Sequence, residues 1–324
     1  MSYVIEIDGL HKHFGDVKAV NGISLKVKQG EIFGLLGPNG SGKTTTLSML
    51  ATLIKPTKGT AYVDGHDILK EPSRVRAAIG FVFQEPSSDD LLTGKENLYI
   101  HSLLYGVKVA DLEKRIQEAF KLVDLTDRQN SIVRTYSGGM RRRLEIARGL
   151  MHQPKILFLD EPTLGLDPQT RDHLWKYIKK LSTERGVSVI ITTHYMDEAD
   201  VLCDRVGIIS AGRIIATDTP ANLKKSLGGD IITMKIKSPN TAAIRRLKYV
   251  KKVERSGDIL RLTVKDSDLH LQELLKKIGK VESVEARSPS LNDVFIKYTG
   301  RNIEDNSAEG GWSQRMIQAR SRNE

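Results

Sequence analysis

Residues 37–44 read Gly-Pro-Asn-Gly-Ser-Gly-Lys-Thr, and this octapeptide constrains the fold more than any other part of the chain. A glycine, four variable positions and then Gly-Lys-Thr form the pattern of a phosphate-binding loop, in which glycines let successive backbone N–H groups point at phosphate oxygens. Lys43 is expected to reach the β- and γ-phosphates, and Thr44 to offer its hydroxyl to Mg²⁺. The pattern therefore predicts a nucleoside triphosphate site between a strand and a helix.

The residues on either side of this loop agree with that context. The apolar run 32–36 is suited to a buried strand, and residues 45–53 have a helical pattern. The positive end of such a helix would point at the bound phosphates. We therefore assign the loop and the first residue of this helix to the nucleotide: Gly37, Pro38, Asn39, Gly40, Ser41, Gly42, Lys43, Thr44 and Thr45.

Apolar runs alternate with helical patterns from residue 31 to residue 216, which predicts an α/β domain around a mainly parallel sheet. Residues 1–30 alternate apolar and polar side chains and are expected to form antiparallel strands ahead of this core. The segment of about 91–150 has helical stretches without a good strand and is interpreted as a helical subdomain. The core strands are expected at 32–36, 79–83, 156–159, 187–192 and 206–209.

The sequence changes character after residue 220, so we expect an ATPase-type domain at 1–220 and an accessory domain at 221–300. Strands at 231–236, 250–254, 259–264 and 281–286, with helices at 240–248 and 267–278, have the order of a ferredoxin-like α+β unit. Residues 301–324 are polar and are expected to form a mobile tail, although Trp312 and Met316 could instead mark a short docking helix.

Most of the net charge of +10 lies in the second domain, where 17 Lys and Arg face 9 Asp and Glu between residues 221 and 300. A solvated basic face is the simpler interpretation, and a patch for anionic lipid or nucleic acid stays open. No stretch approaches the roughly 20 apolar residues that span a bilayer, and the N-terminus has no basic-then-apolar signal, so we expect a cytoplasmic location. The single cysteine, Cys203, excludes an internal disulfide.

Polar side chains follow three of the predicted strands. Asp160 and Glu161 end the apolar run that begins at Ile156, and we expect Asp160 to hold Mg²⁺ and Glu161 to activate the attacking water. His194 follows the strand at 187–192 and is interpreted as a phosphate sensor or polarising group. Gln84 follows the strand at 79–83, where its amide oxygen could reach Mg²⁺ or the water.

Ser137-Gly138-Gly139 precedes a helical pattern and offers a second anion-binding helix end. An ordinary helix cap would have the same residues. One nucleotide needs a single phosphate cradle, however, so a second cradle suggests that two copies of the chain share each nucleotide.

These motifs, taken in order, resemble the nucleotide-binding subunits of ATP-binding cassette (ABC) transporters over residues 1–220. The resemblance implies that Phe14 stacks on adenine and that Gly165-Leu-Asp167 is the loop called the D-loop. It also makes Gln84 the Q-loop glutamine and His194 the switch histidine. In that family two subunits pack head to tail, so Ser137, Gly138 and Gly139 are expected to bind the γ-phosphate on the partner's loop.

Two positions depart from the general family pattern, because Tyr136-Ser-Gly-Gly-Met140 stands where Leu-Ser-Gly-Gly-Gln is usual. Ser137 and the backbone donors are kept, so phosphate binding is still expected. The run Tyr136 to Leu144 is similar to the daunorubicin-resistance subclass of type 2 exporters, as are residues 88–97 and 290–300. The resemblance therefore extends to about residue 300.

The resemblance implies an ATPase, with ATP and Mg²⁺ as cofactors, that drives export of a drug, lipid or other small molecule through a separate transmembrane permease. The chain would act as a homodimer, peripheral to the cytoplasmic side of the membrane, and no nucleic-acid partner is expected. Leu91, Leu92, Leu98 and Tyr99 are candidates for the permease-docking surface, although they could equally be core. A soluble cassette ATPase acting on nucleic acid or ribosomes is the alternative function.

Overall fold

The computed structural model describes residues 2–237, 241–279 and 281–300, so the expectation for the tail at 301–324 lies outside the described residues. The fold has two compact units, the first ending at Thr217 and the second beginning at Asp218. The strands are β1 (Tyr3–Phe14), β2 (Val17–Lys28), β3 (Ile32–Leu36), β4 (Lys58–Val63), β5 (His66–Asp67), β6 (Ile79–Val82), β7 (Ile156–Asp160), β8 (Ser188–Thr193), β9 (Arg205–Ser210), β10 (Arg213–Asp218), β11 (Asp230–Lys235), β12 (Val250–Ser256), β13 (Ile259–Val264) and β14 (Ser283–Arg287). The helices are α1 (Lys43–Leu50), α2 (Pro72–Ala78), α3 (Gly94–Leu104), α4 (Val109–Leu122), α5 (Gly138–Leu150), α6 (Pro168–Arg185), α7 (Met196–Leu202), α8 (Pro220–Lys225), α9 (Thr241–Arg245), α10 (Ser267–Ile278) and α11 (Leu291–Thr299).

A six-stranded sheet forms the centre of the first unit, in the order β10-β9-β3-β8-β7-β6. Strand β3 is parallel to both β8 and β9, and β7 is parallel to both β6 and β8. All residues of β3, β7 and β8 are buried, as expected for strands covered on both faces. The predicted mainly parallel α/β core is confirmed, and its carboxyl edge gathers the loops that follow β3, β6, β7 and β8.

The predicted antiparallel strands at the N-terminus are also confirmed, but their sheet is larger than the sequence suggested. Its order is β2-β1-β4-β5, so two strands from beyond α1 complete it. Gly59 on β4 explains how closely β4 can approach β1, because a Cβ there would lie 2.1 Å from the carbonyl oxygen of Gly9. The glycine that permits this contact also weakens the strand signal in the sequence.

The helical subdomain contains α3, α4 and α5, which pack around one apolar cluster. Thr93 begins α3 with a capping box, in which its hydroxyl accepts from the backbone N–H of Glu96 and the Glu96 carboxylate accepts from Thr93 N–H. The cluster is formed by side chains from all three helices and the connection between α4 and α5: Leu98, Ile116, Phe120, Val133, Tyr136 and Leu144.

The second unit has a four-stranded antiparallel sheet in the order β12-β13-β11-β14. Its described elements include the predicted β-α-β-β-α-β order, and α9 and α10 contribute Ile244 and Leu274 to its core. The last strand begins at Ser283 rather than at 281, and α9 is shorter than the predicted 240–248 helix, of which residue 240 lies outside the described residues. Helix α11 was not predicted.

A buried carboxylate fixes the start of α11. Asp293 accepts two hydrogen bonds from the guanidinium of Arg287, at 2.6 and 2.9 Å, and also pairs with Arg261. Ser290 donates to the carboxylate of Asp293 from both its backbone N–H and its hydroxyl, each at 2.8 Å. Burial alone would raise the pKa of this carboxyl, but Arg287 and Ser290 outweigh burial and hold the pKa at about 2.

We expect Asp293→Asn to destabilise the second unit by about 3 kcal/mol, because it leaves two guanidinium groups without their buried counter-ion. Since folding lowers the pKa of Asp293 from its ordinary 3.8, its contribution is complete above about pH 4 and is lost as the pH falls towards 2. Urea unfolding of the full chain, followed by hydrogen exchange of α11 amides, measures the effect. The exposed Asp258→Asn is the matched control, and equal stability of the two variants would contradict the role given to Asp293.

Candidate functional site

The loop between β3 and α1 has the glycine geometry that phosphate binding requires. Gly42 adopts φ +106°, and a Cβ there would lie 2.4 Å from the carbonyl oxygen of Ala19. A Cβ on Gly37 would lie 2.3 Å from the carbonyl oxygen of Ile209. Both positions therefore exclude larger residues. The hydroxyl of Ser41 is buried and has no hydrogen-bond partner among the described residues, as expected for a group that a phosphate would satisfy.

Helix α1 begins at Lys43 and ends at Leu50, so the predicted helix at 45–53 was placed two to three residues too late. Lys43, Thr44 and Thr45 thus form its first turn, with Gly42 as the left-handed cap. Asn39 and Gly40 at the loop tip are exposed, whereas Pro38 is buried. The N–H groups of this first turn have no intrahelical acceptor, which makes the turn an anion site.

The ammonium group of Lys43 lies inside the loop and is only 4% exposed. It donates to the carbonyl oxygens of Gly37, at 2.8 Å, and Pro38, at 3.1 Å, and lies 3.3 Å from the carboxylate of Glu161. Burial lowers the pKa of Lys43, and the neighbouring Glu161 opposes that shift. The loop therefore holds a cation at its centre, ready to exchange carbonyl contacts for phosphate oxygens.

Asp160, the last residue of β7, joins the loop to the sheet. Its Oδ1 accepts from the hydroxyl of Thr44 at 3.0 Å and from that of Thr192 on β8 at 2.5 Å. Burial raises the pKa of Asp160, and these two hydroxyl donors oppose the rise. A hydroxyl and a carboxylate at this separation are oxygen ligands of the kind that Mg²⁺ prefers. Thr192 was not predicted, because a threonine within a buried strand carries no signal in the sequence.

Glu161 follows in the left-handed region, with φ +46°, which is unusual for a residue with a side chain. Its backbone N–H donates to the hydroxyl of Thr192 at 3.0 Å. Burial would raise the pKa of its carboxyl, but His194 and Lys43 outweigh burial and lower the pKa. Glu161 is therefore ionised at neutral pH and can accept a proton.

His194 lies at the same edge, just after β8. Its Nδ1 is 3.2 Å from the Glu161 carboxylate, a close electrostatic contact that is not aligned as a hydrogen bond. The imidazole packs against the ring of Tyr195, with ring centroids 4.2 Å apart. The structure thus brings together Lys43, Asp160, Glu161 and His194, which are far apart in the sequence.

Gln84 and Phe14 lie at the margin of this cluster. Strand β6 ends at Val82, so Gln84 stands two residues beyond the strand rather than directly after it, and its side chain is exposed. Phe14 ends β1 half-buried, with the ammonium of Lys12 4.9 Å from its ring centroid. The hairpin that contains Phe14 reaches the loop through Ala19, which abuts Gly42.

The second predicted phosphate site forms the start of α5. Ser137 caps this helix by accepting from the N–H of Met140, and both Ser137 and Gly138 are exposed. Gly139 is buried. A larger residue does not fit at this position, because a Cβ there would lie 2.4 Å from the side chain of Thr170 at the start of α6. Asp167, which caps α6, accepts from Thr170 N–H and hydroxyl at 2.9 and 2.6 Å.

The unusual Tyr136 belongs to the core of the helical subdomain rather than to the phosphate site. Its ring is buried, and its hydroxyl donates to the carbonyl oxygen of Arg128 at 2.7 Å. A Cβ on Gly94 would lie 2.4 Å from that hydroxyl, so the larger ring is accommodated by a glycine on α3. The substitution of tyrosine for leucine therefore leaves the exposed donors of Ser137 and Gly138 unchanged.

A parallel sheet, a phosphate-binding loop at its carboxyl edge and an exposed serine-capped helix start on a helical subdomain are together the features of an ATP-hydrolysing cassette. A family model described as ABC transporter matches residues 20–164, and one described as ATP-binding protein DrrA1-3-like, C-terminal domain, matches residues 219–299. The chain belongs to the ATP-binding subunits of ABC transporters, in the subclass of the daunorubicin-resistance proteins, and it is an ATPase.

Several relatives are similar to this chain over nearly their whole length. The daunorubicin/doxorubicin resistance ATP-binding protein DrrA of Streptomyces peucetius is 40% identical, with 94% of this chain and 95% of the relative covered. The linearmycin resistance ATP-binding protein LnrL of Bacillus subtilis is 38% identical, with 93% of this chain and 100% of the relative covered. The Nod factor export ATP-binding protein I of Ralstonia nicotianae is 36% identical, covering 93% and 95%.

Solved cassettes resemble part of the chain. The dimeric post-hydrolysis structure of MJ0796 with ADP and phosphate is 30% identical, with a TM-score of 0.61, and covers 66% of this chain and 98% of that one. The structure of cbiO1 from Clostridium perfringens is 28% identical, with a TM-score of 0.65, and the match covers 70% of this chain and 94% of that one. Among the residues that our structure describes, no helix is both long and apolar enough to cross a membrane.

Proposed function

We propose that this ATPase powers export through a separate membrane subunit, and that two copies close head to tail around shared nucleotides. One observation carries the proposal: the chain has a complete phosphate-binding loop and also an exposed second anion site, at Ser137 and Gly138, that its own loop does not need. A second copy supplies a phosphate for that site. The dimeric state of the similar cassette MJ0796 supports this arrangement.

Within each site, we assign the chemistry to residues of both copies. Thr44, Asp160 and Gln84 would hold Mg²⁺, Phe14 would stack on adenine, and Glu161 would accept the proton of the attacking water. His194 would orient the γ-phosphate beside Glu161. Mg²⁺ neutralises charge on the phosphates when it is bound.

The partner copy would complete the site. Ser137, Gly138 and Gly139 would donate to the γ-phosphate from across the interface. Asp167 would lie beside them, because the start of its helix packs on Gly139 through Thr170. Hydrolysis would then release the contact between the copies and reopen the dimer.

The names of the relatives guide the proposed cargo and location. Resistance to daunorubicin, doxorubicin and linearmycin, and export of Nod factor, are stated for those proteins. We extend to this chain the outward transport of a drug, lipid or other small molecule across the membrane. The protein would then lie at the cytoplasmic face of the membrane, held there by its permease, with domains at 1–220 and 221–300.

We place the permease contact on the exposed apolar face of α3 and the loop before it. Leu91 is 73% exposed and Leu104 is 79% exposed, and the loop is joined to α3 where the side chain of Asn97 accepts from Asp89 N–H. The other exposed apolar side chains of this surface are Tyr99, Ile100, Leu103 and, directly after α3, Tyr105. Leu98, for which a core position was the equal alternative, is 0% exposed and belongs to the core of the helical subdomain, so it is not part of this surface.

Leu104→Asp is expected to lower the membrane-bound fraction of the chain by about tenfold or more, since a charge at an apolar contact is costly to bury. The measurement is the membrane-bound fraction of tagged chain in its native host, together with the multi-span protein that co-purifies in mild detergent. Leu53→Asp, which places the same charge at another exposed leucine, is the control. Equal release of both variants, or a soluble wild-type chain whose ATPase rises with DNA or RNA, would contradict the export function.

A further inference from the structure

Arg142, on the second turn of α5, is a buried cation that is only 6% exposed. Its side-chain hydrogen bonds go to backbone carbonyls at the carboxyl edge of the central sheet, next to Glu161 and Gln84. Its Nε donates to the carbonyl oxygen of Pro162 at 2.7 Å, one Nη donates to that of Asp160 at 2.9 Å, and the other Nη donates to that of Phe83. One guanidinium thus joins α5 to the ends of β6 and β7.

Two of these carbonyls lie on either side of Glu161. A residue with a side chain at φ +46° has a strained backbone, and such strain persists only when the surroundings hold it. The hydrogen bonds from Arg142 to Asp160 and Pro162 hold the backbone immediately before and after this strained residue. The third carbonyl, from Phe83, directly precedes Gln84.

We propose that Arg142 is a positioning residue for hydrolysis, which keeps Glu161 in place and links the start of α5, at Ser137, to the carboxyl edge of the central sheet in its own subunit. The proposal rests on the proposed function, because it uses Glu161 as the base and Ser137 as the group that meets the partner's nucleotide. Since α5 is one continuous helix, a movement of Ser137 on engaging that nucleotide shifts Arg142, and with it the backbone around Glu161.

The chemistry of the side chain fits this role. A guanidinium presents donors in a rigid planar fork, so it can bind three carbonyls that face it from different directions, whereas an ammonium on a flexible stem holds them less rigidly. Burial lowers the pKa of Arg142 to about 10, so the group remains charged at neutral pH. Its positive charge lies against carbonyl dipoles and strengthens each of these hydrogen bonds.

A second contact from α5 reaches the same loop. The carboxylate of Glu145 accepts from the hydroxyl of Ser87 at 3.0 Å and from the backbone N–H of Ser88 at 2.8 Å. The segment around Gln84 is therefore bonded to α5 on both sides, at Phe83 and at Ser87. This segment precedes, in the chain, the surface that we assign to the permease. Helix α5 therefore contacts both the backbone around Glu161 and the segment that leads to the proposed permease contact.

Arg142→Gln tests the inference, with Arg143→Gln as a matched control. Arg143 is the next residue on the same helix and also donates to backbone carbonyls, those of Val123 and Asp124, but these lie at the end of α4. Arg142→Gln is expected to lower kcat for ATP hydrolysis about 100-fold, the scale of a small misplacement of a catalytic group, while ATP affinity stays within about twofold. Arg143→Gln should keep both values near those of the wild type.

Arg142→Lys separates positioning from loss of fold. Lysine keeps the charge but lacks the planar fork, so this variant is expected to recover part of kcat. If Arg142→Gln does not fold, Arg142→Lys takes its place in the assay. A kcat within threefold of wild type for the folded variant, or an equal loss in Arg143→Gln, would overturn the inference. So would a loss that appears only as weaker ATP binding.

The variant Glu161→Gln distinguishes this inference from the function on which it rests. If Arg142 acts through Glu161, adding Arg142→Gln to Glu161→Gln lowers the residual rate little further. A full additional 100-fold loss in the double variant would refute the action through Glu161. Normal turnover by Glu161→Gln alone would instead refute the assignment of the catalytic base, whatever Arg142 does.

Discussion

Glu161→Gln is expected to lower the rate of ATP hydrolysis by about 10³-fold, within the range for loss of a general base, while ATP still binds. The glutamine has nearly the same shape as glutamate but cannot accept the proton of the attacking water. Lys43, Thr44 and Asp160 keep their places around the phosphates. The variant should therefore bind ATP, close into a dimer and remain closed.

Two measurements check this expectation: phosphate release under saturating ATP, and size-exclusion chromatography with ATP and Mg²⁺. The variant should elute as a dimer with ATP and as a monomer without it. Glu31→Gln is the matched control, because Glu31 is also buried and pairs with Arg205 at 3.1 Å, but lies at the start of β3, at the opposite edge of the sheet. Normal turnover by Glu161→Gln would show that another group activates the water.

The features that were predicted from the sequence are those encoded by neighbouring residues. The loop at 37–44 carries its own glycines, lysine and threonine, and the strand before it is a short apolar run with clear ends. The same reasoning predicted that Asp160 and His194 would each lie at the carboxyl end of a strand, and parallel strands place those ends at one edge of the sheet. The confirmed parallel core follows from such local signals.

The features that were missed depend on contacts between distant segments. Nothing next to Arg142 in the sequence shows that its guanidinium would meet three carbonyls from two strand ends, since arginine on a helix is usually exposed. Leu98 was open to either interpretation, because a leucine on an amphipathic helix can face the core or a partner. The arginines that pair with the buried Asp293 come from β13 and β14, so its role also required the fold.

Replacing Lys43 with alanine is expected to weaken ATP binding by about 10- to 100-fold, which corresponds to the loss of about 1.5–3 kcal/mol for hydrogen bonds to a charged group. In the structure this ammonium lies between the carbonyls of Gly37 and Pro38 and the carboxylate of Glu161. It is already desolvated, so binding ATP exchanges these contacts for phosphate oxygens without removing the cation from water. Alanine provides no such group.

Titration calorimetry with ATP, ADP and AMP tests the position of the lysine as well as its importance. Since Lys43 is assigned to the β- and γ-phosphates, affinity should fall for ATP and ADP and change little for AMP. Lys155→Ala removes an exposed lysine of the same unit, paired with Asp64 at 2.8 Å, and serves as the control. An equal loss for all three nucleotides would indicate a damaged loop rather than a missing phosphate contact, and unchanged ATP binding would contradict the assignment of Lys43.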